Sequence, residues 1–111
     1  MRDDRVYLGH ILEAVQLIES YTARGREAFL ADRMVRDAVL RNLEVIGEAV
    51  KNVSPGLRSR RPDVPWQRIA AMRDVLIHQY FGVDPILVWE IIGQRLPQLK
   101  RDVKGLLAEL A

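Results

Sequence analysis

Apolar residues recur every three or four positions along most of the chain, a spacing that places them on one face of an α-helix. This spacing predicts a first helix between Val6 and Tyr21, after which Gly25 interrupts the pattern. Asp32 can cap a second helix that ends before Ser54. The predicted stripes are Tyr7, Ile11, Ala14, Ile18 and Tyr21 in the first helix and Val35, Val39, Leu43, Ile46, Val50 and Val53 in the second.

The apolar surface of the second helix is wider than one stripe. A second apolar set lies beside the first and consists of Met34, Ala38, Val45 and Ala49. A helix at the edge of a monomer needs a narrower stripe, so we expect this helix to be buried on two sides.

The second half of the sequence predicts two more helices after a loop. Residues 54–65 hold four prolines and glycines and read as a loop whose cationic tip carries Arg58, Arg60 and Arg61. A third helix opens near Trp66 and should end within 80–82, and Asp84 caps the last helix. Its stripe is Trp89, Ile92, Leu96, Leu99, Val103, Leu106 and Leu110.

Pro97 lies inside that last stripe and should distort the helix. It removes a backbone donor and crowds the carbonyl of Gly93, so a kink or short break is expected within 93–97. No segment has the alternation typical of a strand. The sequence therefore predicts a single all-α domain over residues 1–111, built as an antiparallel bundle of four or five helices.

Composition narrows the class of protein without identifying it. The chain is 49% hydrophobic and 29% charged, which is typical of a folded globular domain, and no apolar run is long enough to cross a bilayer. The absence of cysteine excludes disulfides and thiolate-ligated metals. The first five residues lead into no signal-peptide core, so we expect a cytoplasmic protein.

The cations are unusual in kind, with fourteen arginines against three lysines. Arginine suits phosphate because its planar fork donates two hydrogen bonds at once. A biased genome or a warm habitat explains the same excess, and the net charge of +2 is too small to prove a nucleic-acid partner.

The end of the third helix gathers the candidate chemistry. Arg73, Asp74, His78 and Tyr80 lie within eight residues. On a regular helix Arg73 and His78 point roughly 140° apart. Either the helix unwinds near His78, or a second copy of the chain completes a shared cleft.

These residue types suit phosphodiester cleavage without a metal. A histidine can take a proton from a ribose 2′-hydroxyl while arginine stabilises the charge that builds on phosphate. Asp74, one turn before His78, can orient the imidazole. The alternative is structural: His78 as an interior histidine, Arg73 and Asp74 as a solvated face, and Tyr80 as a core ring.

Other chemistries have less support. His10 reads as a helix-surface residue, and two histidines without an H-E-x-x-H spacing argue against catalytic zinc. There is no phosphate-binding P-loop, and no serine lies in a nucleophile-elbow context.

The segment from Arg73 to Tyr80 resembles the R-x-x-x-x-H-x-Y signature of HEPN domains of the HepT type. The following residues Phe81-Gly82-Val83-Asp84 continue the similarity, as do Ile46-Gly47-Glu48-Ala49 and Val64-Pro65-Trp66. The resemblance thus covers nearly the whole chain.

This resemblance implies a homodimeric all-α ribonuclease toxin that needs no metal or cofactor. Arg73 and His78 would be its catalytic pair, with Asp74 in a supporting position. Tyr80 would be the residue to which a partner antitoxin, a minimal nucleotidyltransferase, adds AMP.

Two alternatives remain open at the level of sequence. A carboxylate at Asp74 weakens the attraction for phosphate, and some HEPN domains are binding modules, so the chain could instead dock and regulate a nucleotidyltransferase without cutting RNA. In the last alternative the motif is accidental and the bundle purely structural.

Overall fold

The computed structural model describes residues 3–79 and 82–111, and over these ranges the chain forms six α-helices and no strand. The prediction of an all-α bundle is confirmed. The helices are α1 (Asp4–Tyr21), α2 (Arg26–Ala31), α3 (Arg33–Asn52), α4 (Pro55–Arg58), α5 (Trp66–His78) and α6 (Pro85–Leu110). None of the described helices is both long and apolar enough to cross a membrane.

Polar caps set where the helices begin. The Asp32 carboxylate accepts hydrogen bonds from the backbone N–H groups of Met34 and Val35, and Asp84 accepts one from Ile86 at 2.9 Å. These bonds satisfy donors that a helix N-terminus leaves unpaired. The sequence prediction of both caps is therefore confirmed.

Helix α3 is the centre of the bundle. It packs against α1 on one side and α5 on the other, while α6 lies along α1. Ala49, from its second apolar set, is buried, whereas Met34 near its start is 82% exposed. The two-sided burial expected from the wide apolar surface is confirmed, except at that end.

Two short helices were not predicted. Helix α2 places Phe29 in the core, where its ring lies 5.3 Å from that of Trp89. Helix α4 is capped by Ser54, whose hydroxyl accepts a hydrogen bond from Leu57 N–H. Both segments are too short to show a helical period, and the count of four or five helices was therefore too low.

A kink or short break was expected within 93–97. The break does not occur, because α6 is one continuous helix from Pro85 to Leu110, and the kink stays a prediction. The helix accommodates the missing donor at Pro97 without ending.

The loop arginines have structural partners. Arg58 donates to the carbonyl oxygens of Val50 and Val53, which lie at the C-terminal end of α3. Arg60 and Arg61 form ion pairs with Glu109 near the end of α6. Their binding to RNA stays a prediction, and it would compete with these contacts.

Candidate active site

Gly47 allows α3 and α5 to approach closely at the position of Arg73. A Cβ added to Gly47 would lie 2.8 Å from Arg73 Cβ and 3.1 Å from both Arg73 N and Ile69 O. The 2.8 Å contact is closer than real Cβ atoms come to another atom, so a side chain at Gly47 would force something to shift, and the two contacts at 3.1 Å are tighter than most. The absence of a side chain at Gly47 therefore sets how deeply Arg73 is seated against α3.

Two carboxylates hold the Arg73 guanidinium. Its Nε lies 2.7 Å from Glu48 Oε2 on α3, and its Nη1 donates to Asp74 Oδ1 at 3.1 Å. The Arg73 side chain remains 32% exposed, so it is reachable from solvent. Exposed pairs of this kind are weak and exchange readily for other anions.

Asp74 has a different neighbour from the one that its spacing predicted. Its carboxylate accepts a hydrogen bond from Arg73, and within residues 3–79 and 82–111 no hydrogen bond or ion pair joins it to His78. In this arrangement Asp74 helps to fix the arginine. A role in orienting His78 has no contact to support it here.

His78 is the last residue of α5, and its side chain is exposed. The helix is regular up to this point, since Gln79 N–H donates to Val75 O at 2.9 Å. The sequence allowed the helix to unwind near His78; the helix does not unwind before this residue, and it ends there. Arg73 and His78 of one chain stay on different faces, and the predicted Tyr80 lies outside the described residues.

Arg73 lines an open groove of about 370 Å³ between α1, α3 and α5. Its floor is α3, and His78 does not line it. The walls hold Tyr7 and His10 from α1 and Arg73 and Ile77 from α5, while the floor carries Arg41, Glu44, Glu48 and Asn52.

Sequence reasoning missed most of these groove residues. Only Glu48 had a signal, because it lies in the Ile46-Gly47-Glu48-Ala49 segment that carries the family resemblance. His10 is exposed, as predicted, but it faces the same groove as Arg73 and forms an edge-to-face pair with the Tyr7 ring at 6.2 Å.

The groove and the end of α5 offer acid–base and phosphate-binding groups. The described residues contain no cluster of three histidine, aspartate or glutamate side chains that would hold a metal ion. Arginine can neutralise phosphate, and an exposed histidine can transfer protons. An all-α bundle with this arginine–histidine motif at a helix end defines the class as a HEPN-type domain.

Comparison with known proteins assigns the family. The family model described as "Ribonuclease HepT-like" matches residues 11–106, which is most of the chain. The chain therefore belongs to the ribonuclease HepT-like family.

Curated relatives agree with this assignment over almost the full chain. "Gamma-glutamylcyclotransferase and putative RNase MJ0434" of Methanocaldococcus jannaschii is 42% identical over 98% of this chain, which spans only 50% of that longer protein. "Putative RNase TTE0752" of Caldanaerobacter subterraneus is 44% identical over 96% of both chains. "Probable ribonuclease HepT" of Thermococcus cleftensis is 44% identical over 89% of this chain and 91% of its own.

No solved structure matches the chain well enough to support a comparison. The family and the names of its members support a ribonuclease at the level of the family. The positions of Arg73 in the groove and of His78 at the end of α5 are the starting point for a mechanism.

Proposed function

We propose that the protein is a metal-independent endoribonuclease of a toxin–antitoxin pair, acting as a homodimer with Arg73 and His78 as its catalytic pair. The observation that carries the proposal is the position of Arg73, a partly exposed guanidinium in an open groove beside the helix that ends in His78. The family membership supports the same conclusion.

The reaction is an internal transesterification. His78 takes the proton of a ribose 2′-hydroxyl, and the 2′-oxygen forms a bond to the adjacent phosphorus as the bond to the 5′-oxygen breaks. The leaving 5′-oxygen takes a proton from water, and His78 afterwards releases its proton to solvent. Arg73 replaces its carboxylate partners with phosphate oxygens and stabilises the additional negative charge. The products are a 2′,3′-cyclic phosphate and a free 5′-hydroxyl.

Exposed apolar side chains beside His78 favour pairing of two chains. Val75 on α5 and Ile86 and Leu87 on α6 are each between 44% and 53% exposed. They lie on both sides, in sequence, of the segment that joins the two helices. A two-fold contact that covers them would bring the His78 residues of both subunits toward one cleft.

Regulation would act at the same cleft. By resemblance to the family, a minimal nucleotidyltransferase adds AMP to Tyr80, two residues after His78. A phosphate and a nucleoside placed there would exclude RNA by charge and by bulk. The partner antitoxin would therefore silence the enzyme without unfolding it.

The test is cleavage of end-labelled RNA by the purified protein in excess EDTA, with Tyr80 shown by intact mass to be unmodified. We expect the wild type to cut, and His78→Ala and Arg73→Ala to lose at least about 100-fold in rate. Gln16→Ala, an exposed change on α1 outside the groove, is the control and should cut RNA at the rate of the wild type. Equal cleavage by wild type and His78→Ala would refute the catalytic assignment.

A second function is favoured by the two carboxylates on Arg73. Because Glu48 and Asp74 already neutralise this guanidinium, the domain could dock a nucleotidyltransferase without cutting RNA. In that case the two proteins co-purify as a stoichiometric complex, while the free dimer leaves RNA intact in the assay above. Failure of the two to associate would argue against the binding-module function.

A further inference from the structure

We propose that the groove between α1, α3 and α5 is a subsite for one ribonucleotide of the substrate, with the base against Tyr7 and His10 and the phosphate at Arg73. The inference rests on the proposed function, because it assigns the groove to the RNA that Arg73 would engage. It adds a base-contacting surface on α1, a helix outside the catalytic motif.

The groove has the size and the walls that a nucleotide requires. Its volume of about 370 Å³ is in the range of small-ligand sites. Tyr7 and His10 stand on one wall with their rings edge to face, 6.2 Å apart. Because His10 is exposed, its ring has a surface on which a base can stack, and Ile77 adds an apolar surface from α5.

The polar groups of the groove match the two ends of a nucleotide. Arg73 and Arg41 carry the positive charge that a phosphate needs. Their ion-pair partners, Glu48 and Asp74 for Arg73 and Glu44 for Arg41, are carboxylates that a phosphate can displace. Glu44, whose side chain is 18% exposed, presents hydrogen-bond acceptors to base or ribose donors. The Asn52 side chain contributes an amide at the end of the same floor.

Stacking makes this subsite tolerant of sequence, since every base has a flat face. It would hold the substrate so that the phosphate attached to the bound nucleotide lies at Arg73. Because Tyr7 and Arg73 belong to two helices that both pack against α3, the subsite depends on the packing of all three helices.

The experiment is a titration of uniformly ¹⁵N-labelled protein with each of the four ribonucleoside 3′-monophosphates, followed by backbone amide shifts. Concentrations extend to about 10 mM, a range that covers weak mononucleotide affinity. Inorganic phosphate at the same concentrations is the reference for simple anion binding at Arg73.

We expect saturable shifts around residues 7–10, 41–52 and 73–77 for at least one nucleotide, beyond those caused by phosphate. His10→Ala should raise the Kd about fivefold or more, because a base loses its stacking surface. His10→Tyr, which keeps a ring, should stay within about twofold of the wild type. Gln16→Ala, an exposed change on α1 outside the groove, should have no effect.

Three results would overturn the subsite: no shift in the groove, shifts equal to those caused by phosphate, or an unchanged Kd for His10→Ala. The outcome is independent of the cleavage assay. Nucleotide binding in the groove of a protein that does not cut RNA would retain the subsite and remove the nuclease. If the protein cuts RNA but no nucleotide binds in the groove, the nuclease is retained and the subsite is refuted.

Discussion

At the scale of single residues, the charge around Arg73 sets how readily it can accept a phosphate. Glu48 and Asp74 both contact its guanidinium. Their carboxylates hold the arginine in place but also compete with RNA for it. Glu48 is the more informative of the two, because it reaches Arg73 from a different helix and its side chain is half exposed.

Glu48→Gln should increase the affinity for RNA. The amide keeps the size of the side chain and an acceptor oxygen, but it removes the negative charge that competes with phosphate at Arg73. Because exposed ion pairs contribute about 1 kcal/mol or less, we expect the Kd to fall about two- to fivefold. Fluorescence anisotropy with labelled RNA, in a His78→Ala background that prevents cleavage, measures this change.

Glu27→Gln is the matched control for that experiment. It makes the same change in net charge at an exposed position of α2 that does not line the groove. An equal gain in affinity from Glu27→Gln would mean that overall charge is responsible, and the assigned competition at Arg73 would then be wrong.

The catalytic candidates were visible in the sequence because they lie close together in it. Arg73, Asp74 and His78 belong to one helical segment, so a spacing could identify them. Tyr7, His10 and Arg41 approach Arg73 only through the packing of three helices, and no local pattern encodes such a contact. Spacing also fails to determine the partner of Asp74. It allowed a contact with His78, but the carboxylate contacts Arg73 instead.

At the scale of helices, the contact between α3 and α5 depends on Gly47. Gly47→Ala should destabilise the fold by about 1–3 kcal/mol, because the new methyl group would overlap Arg73 Cβ and force the helices apart. Thermal unfolding followed by circular dichroism measures the loss. The displacement of Arg73 should also lower the rate of RNA cleavage below the rate expected from stability alone.

Gly9→Ala is the control for Gly47→Ala. Gly9 lies within α1, and a Cβ added there would meet nothing within 4 Å. Alanine is the better helix former, so this variant should be more stable by roughly 0.5–1 kcal/mol. If both variants respond alike, close approach at Gly47 is not the cause of the effect.

A second contact between elements ties the end of α6 to the loop that follows α4. A hydrogen bond and ion pair from the Arg61 side chain, with a smaller contribution from Arg60, lower the pKa of Glu109 from its usual value of 4.5. The folded state therefore favours the ionised carboxylate. Its contribution to stability is present above the unfolded pKa and is lost as the pH falls through the lowered folded value.

Glu109→Gln should accordingly lower the Tm slightly at pH 7 and leave it unchanged at pH values below the folded pKa of Glu109. Thermal unfolding measured across this pH range tests the expectation. Glu90→Gln, an exposed change elsewhere in α6, should show no such pH dependence. A deficit in Glu109→Gln that persists at acidic pH would contradict an origin in the charge of Glu109.

Long helices were predictable from sequence because each repeats its apolar stripe over several turns. Asp32 and Asp84 correctly predicted where helices α3 and α6 begin, because each is the N-cap residue of its helix. Helices α2 and α4 have six and four residues and cannot repeat a stripe, so only their packing reveals them. The short break expected at Pro97 does not occur, because the apolar stripe of α6 continues across the proline and keeps the segment helical.

At the scale of the whole molecule, the separation of Arg73 and His78 on one chain requires a second chain if both act on one phosphate. Helix α5 is regular through His78, so a single copy cannot bring the two side chains to the same face. In the proposed dimer, the exposed apolar side chains of α5 and α6 would form the contact surface. The 140° separation in the sequence already suggested a cleft shared by two copies. The orientation of the second copy depends on contacts between chains, which no pattern within one chain encodes.

Mixing two inactive variants tests this arrangement. If each site takes Arg73 from one subunit and His78 from the other, a heterodimer of Arg73→Ala and His78→Ala contains one intact site. Equal mixing with full subunit exchange makes half of the dimers mixed, so about a quarter of wild-type cleavage should return. Native mass spectrometry of differently tagged variants shows that exchange is complete. If exchange occurs and cleavage does not return, Arg73 and His78 act within one chain, because a mixed dimer then holds no intact pair, and the shared cleft is excluded.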